Sequence, residues 1–336
     1  MIEPSSPPSP PHKDRKVWLV IFGVATILMG LVCSLMVPLM FLATSMAAKS
    51  ANPPPVAPNL LPVSALYLVL AIVLVWLGVG SIMARRWARA LLAIWSWSWL
   101  IVGLLSIASI ALFASQFSAA MKAAQPPGQP PLPDAQLTVM MLVPLVMLGL
   151  LFVGLPLIWG LFYSGKNVKL TCEARDPVTR WTDRCPLPVL AMALWVGFGA
   201  LSMLLMPALH GVAPWFGQLL SGTTATIFYL GLAVVWTYCA WALYRLDRRG
   251  WWVMVVAMVL FSVSNVLTYS RHDLGEIYAA MGYSSAQLKA MEGWSFLSGR
   301  TMVWSSVIFV VPFLSYLLYI RKFFPDRARR IEPNTP

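Results

Sequence analysis

Charged side chains are scarce in this sequence, since Asp, Glu, Lys and Arg make up 11% of its 336 residues. An ordinary soluble domain carries about 25%. So few charges cannot cover a water-facing surface of this size, and we expect lipid to face most of it. The 59% hydrophobic content and the 16 tryptophans agree, because Trp favours membrane interfaces. The composition therefore excludes an ordinary soluble globular protein.

Acidic residues are scarcer still, with 12 Asp and Glu against 24 Lys and Arg, and the net charge is +12. A basic chain can bind nucleic acid, but here the basic residues lie in short clusters beside apolar runs. That placement is typical of membrane topology signals and of contact with anionic lipid headgroups. We expect membrane lipids as partners, not nucleic acid, and we leave open a protein partner in the membrane.

Recognisable catalytic motifs are absent from the sequence. It has no H-E-x-x-H, no Walker phosphate loop, no G-x-G-x-x-G after a strand and no G-x-S-x-G. Ionisable residues, the usual mark of proton relays, are also missing near the middle of every predicted span. These absences argue against a proton-coupled transporter, an ion pump and an intramembrane metalloprotease. Nothing in the sequence calls for a cofactor.

Cysteines number only four, and two of them, Cys172 and Cys185, lie in the polar stretch "GKNVKLTCEARDPVTRWTDRCP" at 165–186. Their spacing matches no zinc pattern, and two thiols alone make a poor metal site. We predict that this stretch faces the cytoplasm, where a disulfide does not persist. Because Val168, Leu170 and Cys172 alternate, we expect a short strand within a folded connector.

Long apolar runs are what the sequence has in abundance. Eight of them reach the length of about 20 helical residues that spans a bilayer. They lie at 17–46, 62–84, 88–116, 137–163, 187–209, 220–245, 250–270 and 299–321. The first is too long for a cleaved signal peptide, so we expect it to be retained. The sequence therefore predicts an all-α, polytopic integral membrane bundle of eight transmembrane helices.

The orientation follows from the distribution of basic residues. With the N-terminus in the cytoplasm, the inside segments hold 19 of the 24 Lys and Arg. Eight helices then return the C-terminus to the same side. We expect a multi-pass protein of a cell membrane, of the bacterial inner-membrane type, with both termini cytoplasmic.

The two halves of the chain resemble each other. The fourth apolar run ends "PLIWGLFYSGK" and the eighth ends "PFLSYLLYIRK", while "ARRWAR" follows the second and "YRLDRRGWW" the sixth. Such matches, in the same order, predict two parallel four-helix repeats. The predicted segments are a disordered Pro/Ser-rich N-terminus at 1–16, repeat 1 at 17–164, the linker at 165–186, repeat 2 at 187–322 and a basic tail at 323–336.

The candidate catalytic residues lie on the predicted outer side: His210, His272, Asp273 and Glu276. On a helix His272 and Glu276 would share a face, since they stand four residues apart. With His210 they would form a metal or acid–base site. The alternative is an amphipathic helix lying in the membrane interface, in which these residues simply face water.

Two further groups of polar residues call for an interpretation. The first group could line a small outward-facing cavity, although such residues more often form hydrogen bonds between helices: Ser106, Ser109, Ser262, Asn265 and Tyr269. The second is Arg85, Arg86, Arg89, Arg248 and Arg249, which we expect to hold anionic lipid headgroups.

Two classes of function remain. The first is a non-enzymatic membrane protein, namely an accessory subunit, a scaffold or a passive carrier of a small or lipidic molecule. The second is a membrane enzyme with an outward-facing site around His210, His272 and Glu276. The lack of buried charge and of catalytic motifs favours the first class.

Overall fold

The computed structural model describes residues 13–49, 60–112, 134–209, 211–283, 285, 288 and 299–324. Most of them are helical. The helices are α1 Lys16–Ala48, α2 Leu61–Ile82, α3 Arg86–Leu112, α4 Asp134–Gly149, α5 Leu155–Ser164, α6 Lys166–Arg175, α7 Leu187–Leu205, α8 Gly222–Tyr244, α9 Arg248–Tyr269, α10 Leu274–Ala280 and α11 Gly299–Ile320. Strands β1 Ala213–Trp215 and β2 Gln218–Leu220 form one hairpin.

Eight helices of the described chain are long and apolar enough to cross a membrane, as the sequence predicts. They are α1, α2, α3, the combined α4–α5 helix, α7, α8, α9 and α11. Large apolar side chains stay exposed along all of them, with Leu28 of α1 at 55% and Val234 of α8 at 70%. Such surfaces suit a lipid environment.

The chain divides into two compact units. Unit 1 takes residues up to Trp99 together with Gly154–Arg184, and unit 2 takes Leu100–Val153 together with the residues from Cys185 on. In unit 1, α1 packs along α2, and Gly23 and Gly78 meet where the two helices are closest. In unit 2, α7 packs along α8 and α9 packs along α11.

The fourth spanning helix changes its winding near its middle. A π-helical turn, Leu150–Gly154, joins α4 to α5. Pro156 lies two residues after this turn, and since it has no N–H, it cannot donate the usual α-helical bond to the carbonyl of Phe152 four residues earlier. That carbonyl lies where a Cβ of Gly103 would be, so α3 and the π-turn approach each other at a position that only glycine allows.

Two helix ends share the same turn. Ala84 after α2 and Leu246 after α8 both take the left-handed conformation, with φ of 52° and 57°. The hydrogen bonds also match, since Arg85 N donates to Gly80 O at 2.9 Å and Asp247 N donates to Ala242 O at 2.9 Å. This bond, which spans five residues, is the mark of a Schellman-type helix end. In each case the next spanning helix begins two residues after the left-handed residue.

The polar stretch at 165–186 contains a helix, α6, so the predicted strand at its start is wrong. Val168, Thr171 and Cys172 are buried, and their spacing of three and four residues places them on one helical face. The apparent alternation of Val168, Leu170 and Cys172 was too short to distinguish a strand from this pattern.

Candidate functional site

His272 and Glu276 lie together just after α9, although His272 lies outside α10 and the two do not share one helix. His272 ends the turn after α9, and Asp273 caps α10 by accepting a hydrogen bond from the Glu276 amide at 2.9 Å. The cap fixes the first turn of α10, and this turn brings the Glu276 carboxylate against Nδ1 of His272. The other ring nitrogen, Nε2, lies 3.3 Å from the carbonyl oxygen of Gly217.

Both partners of the His272 ring are hydrogen-bond acceptors, because a carboxylate and a carbonyl oxygen have no proton to donate. Both bonds form at once only when both ring nitrogens carry a proton. The His272 side chain is 28% exposed and that of Glu276 is 57% exposed. His272 therefore bridges an exposed carboxylate to the tip of the hairpin.

His210, the third predicted member of this site, lies outside the described residues. Within the described chain, no group of three or more His, Cys, Asp or Glu is placed to hold a metal ion. What the structure brings together is a His–Glu pair and the Gly217 carbonyl. Chemically, this arrangement can hold or pass a proton, and mechanically it fastens the hairpin.

The hairpin is the element that gives this cluster its geometry. Its turn residues, Phe216 and Gly217, both have positive φ, 43° and 89°, as a tight two-residue hairpin turn requires. Ser264 of α9 accepts from the Phe216 amide at 2.9 Å and donates to the Pro214 carbonyl at 3.0 Å. Thr268, one turn later, accepts from the Gly217 amide at 3.0 Å.

Sequence reasoning missed Ser264 and Thr268, although both are buried and both hold the hairpin. A signal was present, since a Ser and a Thr four residues apart share one face of α9 near the end where the hairpin lies. The sequence pattern did not predict the hairpin. Its residues lie in the connection after the fifth apolar run, and its last residue belongs to the sixth.

The predicted cavity-lining residues are mostly bonded within their own helices. The hydroxyls of Ser106, Ser109 and Ser262 each donate to the carbonyl four residues earlier, at 2.6–2.8 Å. The Asn265 Oδ1 is buried and has no hydrogen-bond partner among the described residues. Tyr269 is the last residue of α9 and is partly buried.

The predicted lipid-binding arginines of unit 1 contact the linker. Arg85 lies 3.6 Å from Asp176, and Arg86 lies 3.7 Å from Glu173 and 3.6 Å from Asp183. Arg89 Nη1 donates to the main-chain carbonyl of Tyr163 at 3.4 Å.

Asp176 is the centre of the contact between the linker and α3. Its side chain is 2% exposed and lies 3.1 Å from Arg180. Burial alone would raise the pKa of the Asp176 carboxyl, but hydrogen bonds from Arg180 and the Arg86 amide and the charges of Arg180 and Arg85 lower it. The carboxylate is therefore held ionised and fixes the linker on the turn between α2 and α3.

The two linker thiols are buried. Cys172 is 0% exposed and Cys185 is 5% exposed. Burial raises the pKa of each thiol to about 11, so both are protonated and weakly nucleophilic at neutral pH. They act as packing residues in their respective units.

A basic cavity lies at the opposite end of α9 from the hairpin. It has a volume of about 410 Å³ and is lined by Arg248, Trp251, Leu318, Arg321, Lys322 and Phe324. The start of α9 and the end of α11 position these residues. Arg249, the remaining predicted lipid contact, is exposed and gives its amide to the Asp247 cap at 3.0 Å.

Comparisons with models of known protein families, with curated proteins and with solved structures find no match for this chain.

Proposed function

We propose that this chain is a non-enzymatic, multi-pass membrane protein that serves as an accessory subunit or scaffold. Its eight apolar helices, with large hydrophobic side chains exposed along all of them, support insertion in a bilayer. The observation that carries the non-enzymatic role is the double contact of His272. The side chain best suited to acid–base chemistry is that of His272. It contacts Glu276 and the Gly217 carbonyl, and these contacts fasten the hairpin.

The contacts of the serines favour a scaffold over a carrier of polar molecules. Ser106, Ser109 and Ser262 give their protons to their own helices, so they offer a passing solute only acceptor capacity. Two other polar residues of α9, Ser264 and Thr268, do reach another element, and they hold the hairpin in place. These hydrogen bonds fasten the hairpin to α9.

The proposed architecture is two parallel four-helix repeats, with the arginine-rich helix ends in the cytoplasm. The matching turns at Ala84 and Leu246 support the duplication. A second match lies beside them: Gly80 contacts Ala88 after the first turn, and Ala242 contacts Gly250 after the second. The glycine precedes the turn in the first pair and follows it in the second. In both pairs the two helices cross closely.

The orientation is tested with a matched pair of introduced cysteines. Lys169→Cys lies in the linker helix and Gln218→Cys lies in the hairpin, and both positions are exposed. With a membrane-impermeant maleimide and intact cells, we expect labelling of the hairpin cysteine and none of the linker cysteine until lysis. The reverse pattern would contradict the proposed orientation.

The contact between His272 and Glu276 also favours a second candidate, a membrane enzyme with an acid–base pair at this site. Glu276→Gln separates the two roles, because an amide oxygen still accepts from His272 but a glutamine does no acid–base work. Glu276→Ala removes both capacities. Ser270→Ala is the control, because the exposed hydroxyl of Ser270 donates only to the nearby main-chain carbonyl of Leu267.

Hydrogen exchange of residues 213–220 in the purified protein and the cellular phenotype are measured together for each variant. A structural role predicts faster exchange and a weakened phenotype for Glu276→Ala, with both near wild type for Glu276→Gln. Loss of the phenotype in Glu276→Gln, with unchanged exchange and protein level, would overturn the proposal in favour of the enzyme.

A further inference from the structure

The basic cavity of unit 2 brings three cationic side chains to one opening. Arg248 stands at the first position of α9, while Arg321 and Lys322 follow the last residue of α11. Across the described chain, no carboxylate forms an ion pair with Arg321 or Lys322. This differs from Arg85 and Arg86 of unit 1, which form ion pairs with acidic residues of the linker.

Aromatic rings hold the two unneutralised cations in place. The Arg321 guanidinium lies 5.7 Å from the centre of the Trp251 ring, and the Lys322 ammonium lies 3.9 Å from the centre of the Tyr319 ring. Trp251 is itself fixed, since it is 2% exposed and its indole N–H donates to the Leu317 carbonyl at 2.9 Å. A cation–π contact orients a charge without cancelling it. The positive charge therefore stays available to an anion.

The positive potential of the cavity comes from its side chains. The cavity opens beside the first turn of α9, where the helix dipole places partial positive charge, and beside the end of α11, where the dipole places partial negative charge. Among the residues that the structure describes, one acidic group is near, the Asp247 cap, but its carboxylate accepts from the Arg249 amide and does not line the cavity. The cavity volume of about 410 Å³ is within the usual range for small-molecule sites, about 300–1,000 Å³.

We propose that this cavity binds a phosphate-bearing group, with Arg321, Lys322 and Arg248 around the phosphate oxygens and the Trp251 ring as the wall behind them. Guanidinium groups bind phosphate oxygens through paired N–H donors, and an ammonium group adds a point charge. The proposal is independent of the non-enzymatic role, because it rests on a different end of unit 2.

Two sources can supply such a group, a phospholipid headgroup or a soluble phosphoester. Leu318 lines the cavity and is 60% exposed, so an apolar surface continues from the cavity along α11. A glycerophospholipid would place its phosphate among the cations and its acyl chains along that surface. A soluble phosphoester would use the cations alone.

The test uses the full-length protein in mild detergent, with binding followed by native mass spectrometry. One arm adds phosphatidylglycerol and the other adds glycerol phosphate, which shares the phosphate but lacks acyl chains. The variant is Arg321→Gln/Lys322→Gln. The control, Lys166→Gln/Arg184→Gln, removes two exposed charges from the linker instead.

We expect the wild type to retain one tightly bound phosphatidylglycerol and the cavity variant to bind it about 30-fold more weakly, since each cation near an anionic headgroup contributes about 1 kcal/mol. Retention by the control should match the wild type. Equal competition by glycerol phosphate would identify a soluble phosphoester as the source, and no competition would identify the lipid; either result supports the site.

Unchanged retention by the cavity variant would overturn the proposal. An equal loss in the linker control would overturn it as well, because the attraction would then come from diffuse surface charge. Melting temperatures of all three proteins are measured alongside. Because Arg321 and Lys322 are exposed, we expect the cavity variant to melt like the wild type.

Discussion

Gly250 at the start of α9 lies directly against Ala242 near the end of α8, with no room between them for a side chain on the glycine. A similar pair lies around the turn after α2, Gly80 and Ala88, where a Cβ on Gly80 would lie 2.6 Å from the Ala88 Cβ. At each crossing one partner must be glycine for the two helices to approach this closely. Small residues at such crossings are typical of helix packing in membranes.

Gly250→Ala should destabilise the protein by about 1–3 kcal/mol, the usual cost of overpacking a tight contact. The double variant Ala242→Gly/Gly250→Ala restores one small partner and reproduces the order found at Gly80 and Ala88, so most of the stability should return. Melting temperature in detergent is the measurement. Gly231→Ala, at a helix position with open space around it, is the control and should be neutral or slightly stabilising.

A double variant as unstable as Gly250→Ala alone would contradict the equivalence of the two crossings.

Ser264→Ala should loosen the hairpin, because it leaves the Phe216 amide and the Pro214 carbonyl without their partner. An unsatisfied buried group costs about 1–3 kcal/mol. We expect a lower melting temperature and faster hydrogen exchange at the Phe216 amide. Ser262→Ala is the matched control, since its hydroxyl donates only to the Met258 carbonyl of α9. Equal effects of the two substitutions would contradict the fastening role.

Asp176→Asn should release the linker from the turn between α2 and α3. The substitution removes the charge that Arg180 and Arg85 face, and because both arginines are 36% exposed the loss should be about 1–2 kcal/mol. Glu173→Gln is the control, because its side chain is 32% exposed and such pairs contribute about 1 kcal/mol at most. Hydrogen exchange of α6 and melting temperature report the difference.

The pH dependence of this effect has a defined sign. Since the pKa of Asp176 is lowered in the folded protein, its contribution is present above the ordinary carboxyl value of about 3.9 and is lost as the pH falls through the lower folded value. The gap in stability between wild type and Asp176→Asn should therefore be constant near neutral pH and shrink only below about pH 4. A gap that closes between pH 7 and 5 would contradict the assignment.

Cys172 and Cys185 should resist maleimide in the folded protein, even when both faces of the membrane are accessible. Both are buried, and with a pKa of about 11 each thiol has little thiolate at neutral pH. Labelling should rise steeply with pH in the alkaline range and become complete after unfolding in denaturant. Rapid labelling of either cysteine in the native protein at neutral pH would show that the linker opens.

The spanning helices could be predicted from the sequence because each is an unbroken apolar run of sufficient length. The hairpin at 213–220 could not, since its strands have three residues each and its turn, Phe216–Gly217, lacks the Asn-Gly or Asp-Gly pair that usually marks such turns. Its position depends on Ser264 and Thr268, about 50 residues away along the chain.

The candidate site was predictable only in part, for a similar reason. The contact of His272 with Glu276 is local in sequence, but His272 lies before α10, so the contact depends on the Asp273 cap that fixes the first turn of α10. The contact with the Gly217 carbonyl depends on the hairpin and on the fold of unit 2. In the linker, the local residue pattern predicted a strand, but the first part of the segment is a helix. The buried carboxylate of Asp176 and its arginine partners hold this segment in place.

Native mass spectrometry of the protein extracted from its own membrane tests the proposed function most directly, because it weighs bound proteins and lipids together. An accessory subunit or scaffold should be recovered with another membrane protein at a fixed stoichiometry, and Glu276→Gln should leave that complex unchanged. Recovery of the chain alone, carrying only lipid, would contradict the proposed role.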